Sequence, residues 1–576
     1  MDTRGAAMIT VAERPGVELS TPARLGDRSA TRWRAFVRLS VWVLAVAVVA
    51  TFLFQVHASY AIPPNVEADN AYIFLAAERM HDGLGPTSLP PKAPYQPWER
   101  RSDWAFLTQW PVGYPALICA TRWLLGTTTV HAAIVLNIAC VAVGLVAWFA
   151  WIRMCLPRRQ PAWLIALVAA GSTFSAQNLI HPSSDAVLLG LLPVVLLLTA
   201  QVLRWSGGAR RTIGIALAAT AAGLLFWIRY AAIFVPVGIG GYFVVAWVIQ
   251  KRIRCRDVAV YAAGSLAPII TLVAINHAFG SDQSVQEQLN LGHRVTFGFD
   301  PSILVSTWRH FAEQTLYAHR PEAGVFFLVM LPVAALVITL AFGSVRQEWR
   351  KVIASPTAGL SLAATVALFI VLIGATTIFG DKYDYVRLDR YYQPVRPFYF
   401  LFCLGPLVAC RRRSIRLLAC IPLVLALSWF VNQDAHRTLT RWSADSRSVT
   451  ASGRWSRRFE PDSSDLYTWL KQQPADNLVV FSNFHDDIGV ETGLPASPTP
   501  TTPEQLNDWL GRVRTARGMH DLRVYFVLDP DNAHRSDYLL PPEEIIERFD
   551  LVHCPEAPAS IQNYVYVPRV DEPSAT

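Results

Sequence analysis

Apolar runs close to the length of a membrane crossing recur along most of this chain, and they constrain its fold more than any other feature. A helix needs about 20 predominantly apolar residues to cross the hydrocarbon of a bilayer. A hydropathy reading gives about eleven spans, near 39–56, 130–152, 161–180, 186–203, 212–228, 231–249, 257–277, 323–342, 358–379, 395–410 and 414–431. The 212–249 stretch is broken only by Arg229 and Tyr230. As one helix it would be roughly 57 Å long, too long for one crossing, so it reads as a tight hairpin. The span at 395–410 is short and holds Pro397 and Pro406. Charged residues make up 16% of the chain, against about one-quarter in a soluble one. The expected class is an all-α polytopic membrane protein.

Basic residues orient these spans. Arg153, Arg158 and Arg159 follow the second span, and Arg204, Arg210 and Arg211 the fourth. Lys251, Arg252, Arg254 and Arg256 follow the sixth, Arg346, Arg350 and Lys351 the eighth, and Arg411, Arg412, Arg413 and Arg416 the tenth. With the basic tail at 1–38, every cluster falls on one side of an eleven-span arrangement, and that side is cytoplasmic by the positive-inside rule. The N-terminus is then inside and residues 433–576 outside. The net charge of +8 mostly reflects this anchoring and gives no reason to expect a nucleic-acid partner. The first apolar run follows a long tail and precedes no clean small-residue cleavage site, so it reads as a signal anchor. No C-x-x-C spacing occurs, so neither a zinc cluster nor a disulfide framework is expected.

Just past the first span the chain reads VEADNAY, which puts Glu67 and Asp69 one residue apart at a membrane boundary. Carboxylates beside hydrocarbon are costly, so the pair suggests a site; the competing account is that both acids merely solvate a helix end. The first outer segment, 57–129, also contains a proline-rich stretch and the run WPVGYPALICATRWLLG from Trp110, which reads as an amphipathic helix lying in the interface. A second outer loop spans 278–322. A third, 380–394, is GDKYDYVRLDRYYQP, dense in charge and tyrosine. Beyond about 433 the character changes. Helices are expected near 464–472, 503–516 and 542–549, with strands at Asn477–Phe481, Leu522–Leu528, Leu551–Cys554 and Tyr564–Val567, which together make a small extracytoplasmic α/β domain.

In order along residues 35–430, these features resemble the GT-C membrane glycosyltransferases, specifically the bacterial branch similar to protein O-mannosyltransferases and the aminoarabinose transferases of lipid A. The residues that carry the resemblance are Glu67, Asp69 and Tyr72, then Ala76–Gly85, then WPVGYPAL, and RYYQPVRP from Arg390 to Pro397; a weaker match is Gly223–Pro236. The pair of prolines usual before Tyr-Pro is replaced by Trp110-Pro111-Val112-Gly113. The resemblance implies one catalytic membrane domain over 39–432. It also implies transfer of a sugar from a polyprenyl-phosphate carrier to a glycan, lipid or protein acceptor at the outer face of a bacterial inner membrane.

The chemistry then assigns roles. An acceptor hydroxyl needs a base, which Asp69 would supply, with Glu67 orienting or exchanging roles; a single displacement would invert the anomeric centre. The departing phosphate needs cations. Arg390 is favoured by the motif; Arg387 and Lys382 stand beside it but have Asp381, Asp384 and Asp389 as partners in the same loop. Arg229 binds phosphate or snorkels to headgroups. Tyr72 and Tyr391 are sugar contacts, although an aromatic belt accounts for the loop tyrosines too. His181 and Asp185 stand at an outer hairpin tip, where capping of the next helix explains Asp185 equally well. No cofactor is expected; a divalent cation held by Glu67, Asp69 and substrate phosphate is the minority use of the pair. Outside the enzyme class, the alternatives are a transporter or flippase of lipid-linked glycans, or a non-catalytic scaffold for cell-surface glycans. A transporter predicts mid-span charges and inverted repeats, and neither is evident.

Overall fold

The structure is a computed structural model, and it describes residues 25–61, 68–88, 105–108, 110–156, 164–168, 182–279, 332–379, 389–409, 463–474, 477–494, 496–518, 521–529 and 540–569, with scattered positions in 303–311 and 415–439. Among the described residues, seven helices are long and apolar enough to cross a membrane. They are Trp42–Tyr60, Thr129–Cys155, Ser184–Leu203, Ala209–Ile228, Tyr230–Val248, Cys255–Phe279 and Pro356–Thr377. Each coincides with an expected span. Near the expected spans 323–342, 395–410 and 414–431 the described residues form the helices Pro332–Ala341, Arg396–Ala409 and Ala419–Trp429, each shorter than a crossing. The one near 161–180 lies mostly outside the described residues.

Some boundaries differ from the sequence reading. Helix α1 (Leu25–Ala61) continues back through Arg28 to Arg38, so the end of the basic tail is helical. Arginine and alanine propagate a helix as well as the apolar run does. The predicted hairpin forms as α6 (Ala209–Ile228), one extended residue at Arg229, a 3-10 turn Tyr230–Ile233 and α7 (Phe234–Val248).

Glycines set how closely the helices pack. In α4 (Thr129–Cys155) a Cβ at Gly144 would stand 2.6 Å from the Cα of Gly190 in α5 (Ser184–Leu203), and a Cβ at Gly190 would meet the Cys140 carbonyl. Small residues let these backbones touch, and close packing rather than burial from water drives helix association in lipid. The contacts also give helix directions. Asn137 Nδ2 donates to the Ser183 carbonyl at 3.2 Å and Trp148 Nε1 to that of Leu189 at 3.2 Å, so α4 and α5 run parallel. Arg211 pairs with Asp257 at 3.0 Å and Trp227 Nε1 donates to Pro268 at 2.7 Å, so α6 runs parallel to α8 (Cys255–Phe279). The bundle therefore has a basic end, at Arg153, Arg204, Arg211 and Arg252, and an opposite end, at Thr129, Ser184, Arg229 and Phe279.

The C-terminal residues form a five-stranded sheet in the order β4-β3-β5-β7-β6. Strands β3 (Leu478–Ser482), β4 (Ala496–Pro498) and β5 (Arg523–Val527) are parallel, while β7 (Val565–Pro568) is antiparallel to β5 and to β6 (Leu551–His553). Alternation along β3 assigns the faces. Leu478 and Val480 pack with Leu466, Leu470 and Ile488, whereas Val479 and Phe481 pack with Trp509, Leu510 and Ile545. Helices thus cover both faces, as a parallel sheet requires. The sequence reading finds every element of this sheet except helix His485–Thr492 and strand β4.

Candidate active site

The acidic motif opens α2 (Ala68–His81), which lies at the Arg229 end of the bundle. Asp69 is the second residue of this helix; its side chain, and Glu67 altogether, lie outside the described residues. From Asn70 to Ala77 every residue is buried. Two faces share the burial. Ala71, Ile73, Phe74 and Ala77 pack on Tyr114 and Ile118 of α3 (Gly113–Leu125), on Val130 and Ala133, and on Val187 and Ile228. Tyr72, Leu75 and Ala76 pack on Leu107, Val112 and Leu272, with Trp110, Trp227 and Tyr230 against them. Buried on every side from Asn70 to Ala77, α2 is wedged among α3, α4, α5, α6 and helix Cys255–Phe279.

The sequence Trp110-Pro111-Val112-Gly113 has a local reason. A Cβ at Gly113 would stand 2.7 Å from the Trp227 carbonyl carbon, so glycine is what lets α3 begin against the hairpin of α6 and α7. At the other end of α3, Trp123 and Leu124 are 72% and 84% exposed, the apolar side expected of an interfacial helix.

Arg229 and Asp185 come together beside α2. Ile228 and Val187, which pack on Phe74, are their near neighbours in sequence. The guanidinium pairs with the Asp185 carboxylate at 2.7 Å and donates to Ser184 Oγ at 3.2 Å. The two side chains are 14% and 10% exposed, so Arg229 turns into the protein and does not snorkel. Asp185 also stands in the first turn of α5, where the helix dipole favours a carboxylate. Next to this pair, Asn276 Nδ2 donates to the Tyr230 hydroxyl at 2.9 Å, and that hydroxyl donates to the Thr108 carbonyl at 2.8 Å. Arg390 and Tyr391 lie in a 3-10 helix, Asp389–Val395, that packs against α5 and leads into helix Arg396–Ala409. Their side chains, and Lys382 and Arg387 altogether, lie outside the described residues.

A second contribution comes from the far end of the sequence. Helix α13 (His485–Thr492) follows β3 and packs against α2. The Tyr72 hydroxyl and His485 Nε2 are 3.1 Å apart, and the two rings meet edge to face with centroids 6.5 Å apart. Tyr72 also meets Trp110, with centroids 5.0 Å apart and the rings tilted by 37°, and its carbonyl accepts from Ser88 Oγ at 2.8 Å. His485 belongs to a row of buried polar residues, Ser482, Asn483, Thr499 and Asp529, at the carboxyl ends of β3, β4 and β5. Asn483 and the backbone of Asp529 exchange two hydrogen bonds, at 2.9 and 3.0 Å, across the ends of β3 and β5. That edge is where open α/β sheets commonly hold ligands. His485 is absent from the sequence-based candidates; the signal available was a polar HDD two residues after a strand that opens with the apolar run Leu478–Phe481.

No protein-family model matches this sequence, and no curated protein does. Solved structures do. ArnT from Cupriavidus metallidurans, determined bound to undecaprenyl phosphate, superposes over 85% of this chain and 94% of its own with a TM-score of 0.50 at 11% identity. The oligosaccharyltransferase of Archaeoglobus fulgidus superposes over 86% of this chain and 70% of its own, also with a TM-score of 0.50, at 12% identity. The chain therefore has the fold of the GT-C membrane glycosyltransferases.

Proposed function

We propose that this protein is a membrane glycosyltransferase that moves a sugar from a polyprenyl-phosphate carrier to an acceptor hydroxyl. What supports the reading most is the placement of the acidic helix α2: it is enclosed at one end of a GT-C bundle, beside the Arg229–Asp185 pair and under the carboxyl edge of the sheet. The undecaprenyl phosphate held by ArnT is a donor product of the class the reading requires.

In this reading about eleven spans make the bundle, the Arg229 end is extracytoplasmic, and residues 433–576 form an α/β domain on that side. Asp69 takes the proton of the acceptor hydroxyl as the bond from that oxygen to the anomeric carbon forms and the bond from the anomeric carbon to phosphate breaks. Attack and departure on opposite faces invert the anomeric centre. Glu67 orients the acceptor. Arg390, with Arg387 and Lys382, neutralises the departing phosphate, where fixed cations stabilise growing charge. Tyr391 bounds the sugar. A divalent cation would have to draw on Glu67, Asp69 and the carrier phosphate, because no three His, Cys, Asp or Glu side chains converge among the described residues.

The test uses full-length protein in nanodiscs and a panel of undecaprenyl-phosphate-linked pentoses and hexoses, scored as undecaprenyl phosphate released. Asp69→Asn keeps size and hydrogen bonding but removes the base, and turnover should fall by roughly 10²–10⁴-fold with carrier binding little changed. Glu67→Gln should cost less. Undiminished turnover in Asp69→Asn removes the base from the mechanism.

A further inference from the structure

The GT-C resemblance gives the C-terminal sheet no part in the transfer site. The contact between His485 and Tyr72 does. Tyr72 is 1% exposed and His485 is 4% exposed, and they are 413 residues apart in sequence. Such a bond forms only if the sheet and the acidic helix hold one fixed arrangement. Either tautomer serves: the tyrosine O–H donates to a bare Nε2, or Nε2–H donates to the tyrosine oxygen.

Tyr72 stands three residues after Asp69, which is about 4.5 Å along the axis and nearly the same side of the helix. Its ring rests on Trp110, its carbonyl is held by Ser88, and its hydroxyl is held by His485. The first two anchors belong to the same outer segment as α2 itself. His485 is a polar anchor from outside that segment. It follows β3 by a two-residue turn in which Phe484 N donates to Ser482 Oγ at 3.0 Å, so its position is set by an interior strand of the sheet, paired on both sides.

We propose that His485 is a positioning residue for sugar transfer: through the Tyr72 hydroxyl it fixes the first turn of α2, and with it the Asp69 carboxylate, so that sheet and bundle complete one site. This rests on the transferase reading above. The acceptor is then bounded on one side by the carboxyl edge of the sheet, where Thr499 Oγ1 is buried with no hydrogen-bond partner.

The test compares kcat and KM for the undecaprenyl-phosphate-linked sugar in Tyr72→Phe, His485→Phe, His485→Gln and the double variant Tyr72→Phe/His485→Phe. Displacing a catalytic group by about an ångström costs on the order of 10²-fold. Tyr72→Phe and His485→Phe should therefore each lower kcat by roughly 10–100-fold, with KM for the carrier within about twofold. His485→Gln, which keeps an amide within reach of the hydroxyl, should recover most of the rate, and the double variant should be no slower than the slower single one. Hydrogen exchange in peptide 68–81 should quicken in His485→Phe. If that variant does not fold, Tyr72→Phe, which removes one oxygen, carries the test. Wild-type kcat in Tyr72→Phe, or losses that multiply in the double variant, overturns the proposal. Asp69→Asn in the same assay separates the two readings. If Asp69→Asn is inactive while Tyr72→Phe is not, only the positioning role fails. If Asp69→Asn is fully active, the transferase assignment fails, and unchanged exchange in 68–81 would then overturn the clamp as well.

Discussion

The Arg229–Asp185 pair offers the sharpest separation of stability from function. Replacing Arg229 by methionine leaves the Asp185 carboxylate 10% exposed beside apolar residues. Breaking one side of a buried pair costs about 3–5 kcal/mol, because the remaining charge keeps its desolvation cost and loses its compensation. Asp185 sits in the first turn of α5, so the helix dipole returns about 0.3–1 kcal/mol of that. Arg229→Met should therefore lose roughly 2–4 kcal/mol. Asp185→Leu alone leaves the guanidinium with the Ser184 hydroxyl at 3.2 Å and forfeits the dipole, for a loss of roughly 2–4 kcal/mol as well. The double variant swaps the pair for apolar groups, which ranges from neutral to stabilising by about 1–4 kcal/mol. The single losses sum to about 4–8 kcal/mol, so the coupling energy from the cycle is at least about 4 kcal/mol, well above the 0.3–0.5 kcal/mol scatter of independent sites. Equilibrium unfolding in mixed detergent and SDS reads it directly. If Arg229 also meets the carrier phosphate, the double variant is stable and still weak for undecaprenyl phosphate. A coupling under about 0.5 kcal/mol would refute the geometry, since a 2.7 Å pair at this burial cannot be energetically silent.

Arg390→Ala should weaken binding of undecaprenyl phosphate as well as turnover, because phosphate is present in both ground and transition states; isothermal titration and kcat measure the two parts. Among single-cysteine variants, a membrane-impermeant maleimide should label Cys119 in whole cells but Cys255, which is exposed at the basic end, only after the membrane is opened; labelling in the reverse order inverts the topology. Gly190→Ala should destabilise the bundle by about 1–3 kcal/mol, because its methyl would meet the Cys140 carbonyl across the α4–α5 contact. Gly241→Ala, which meets nothing within 4 Å, should be neutral or stabilising in the same unfolding assay.

The bundle was legible because hydrocarbon demands a length and a polarity that few other structures need. The hairpin at Arg229 followed from length alone, and the basic clusters ordered the helix ends. Arg229 itself was harder to read. Snorkelling and inward pairing have the same sequence signature, one arginine at the end of an apolar run, and only the position of Asp185 decides between them. Asp185 in turn looks like a helix cap, and in the first helical turn its charge serves the dipole as well as the pair. In the sheet, alternation and turn residues located four strands, but β4 is three residues long, too short for any period to register.

The helix beside the sheet that the pattern missed is also the one that carries the sheet's contact to the acidic motif. Helix α13 has eight residues, HDDIGVET, with a single large aliphatic pair to show a face. Its stability comes from where it docks. Ile488 is fully buried against Leu466 and Val480, and Gly493 closes the helix with φ +69, a left-handed conformation that glycine takes without strain. Short helices are marginal on their own and form when tertiary contacts select them. A residue such as His485 is therefore invisible to local patterning for the same reason that it can join two distant parts of the chain: its conformation is set by the strand it follows and the helix it meets. If the sheet were a passive appendage, nothing would require a buried tyrosine hydroxyl in the bundle to find its partner there.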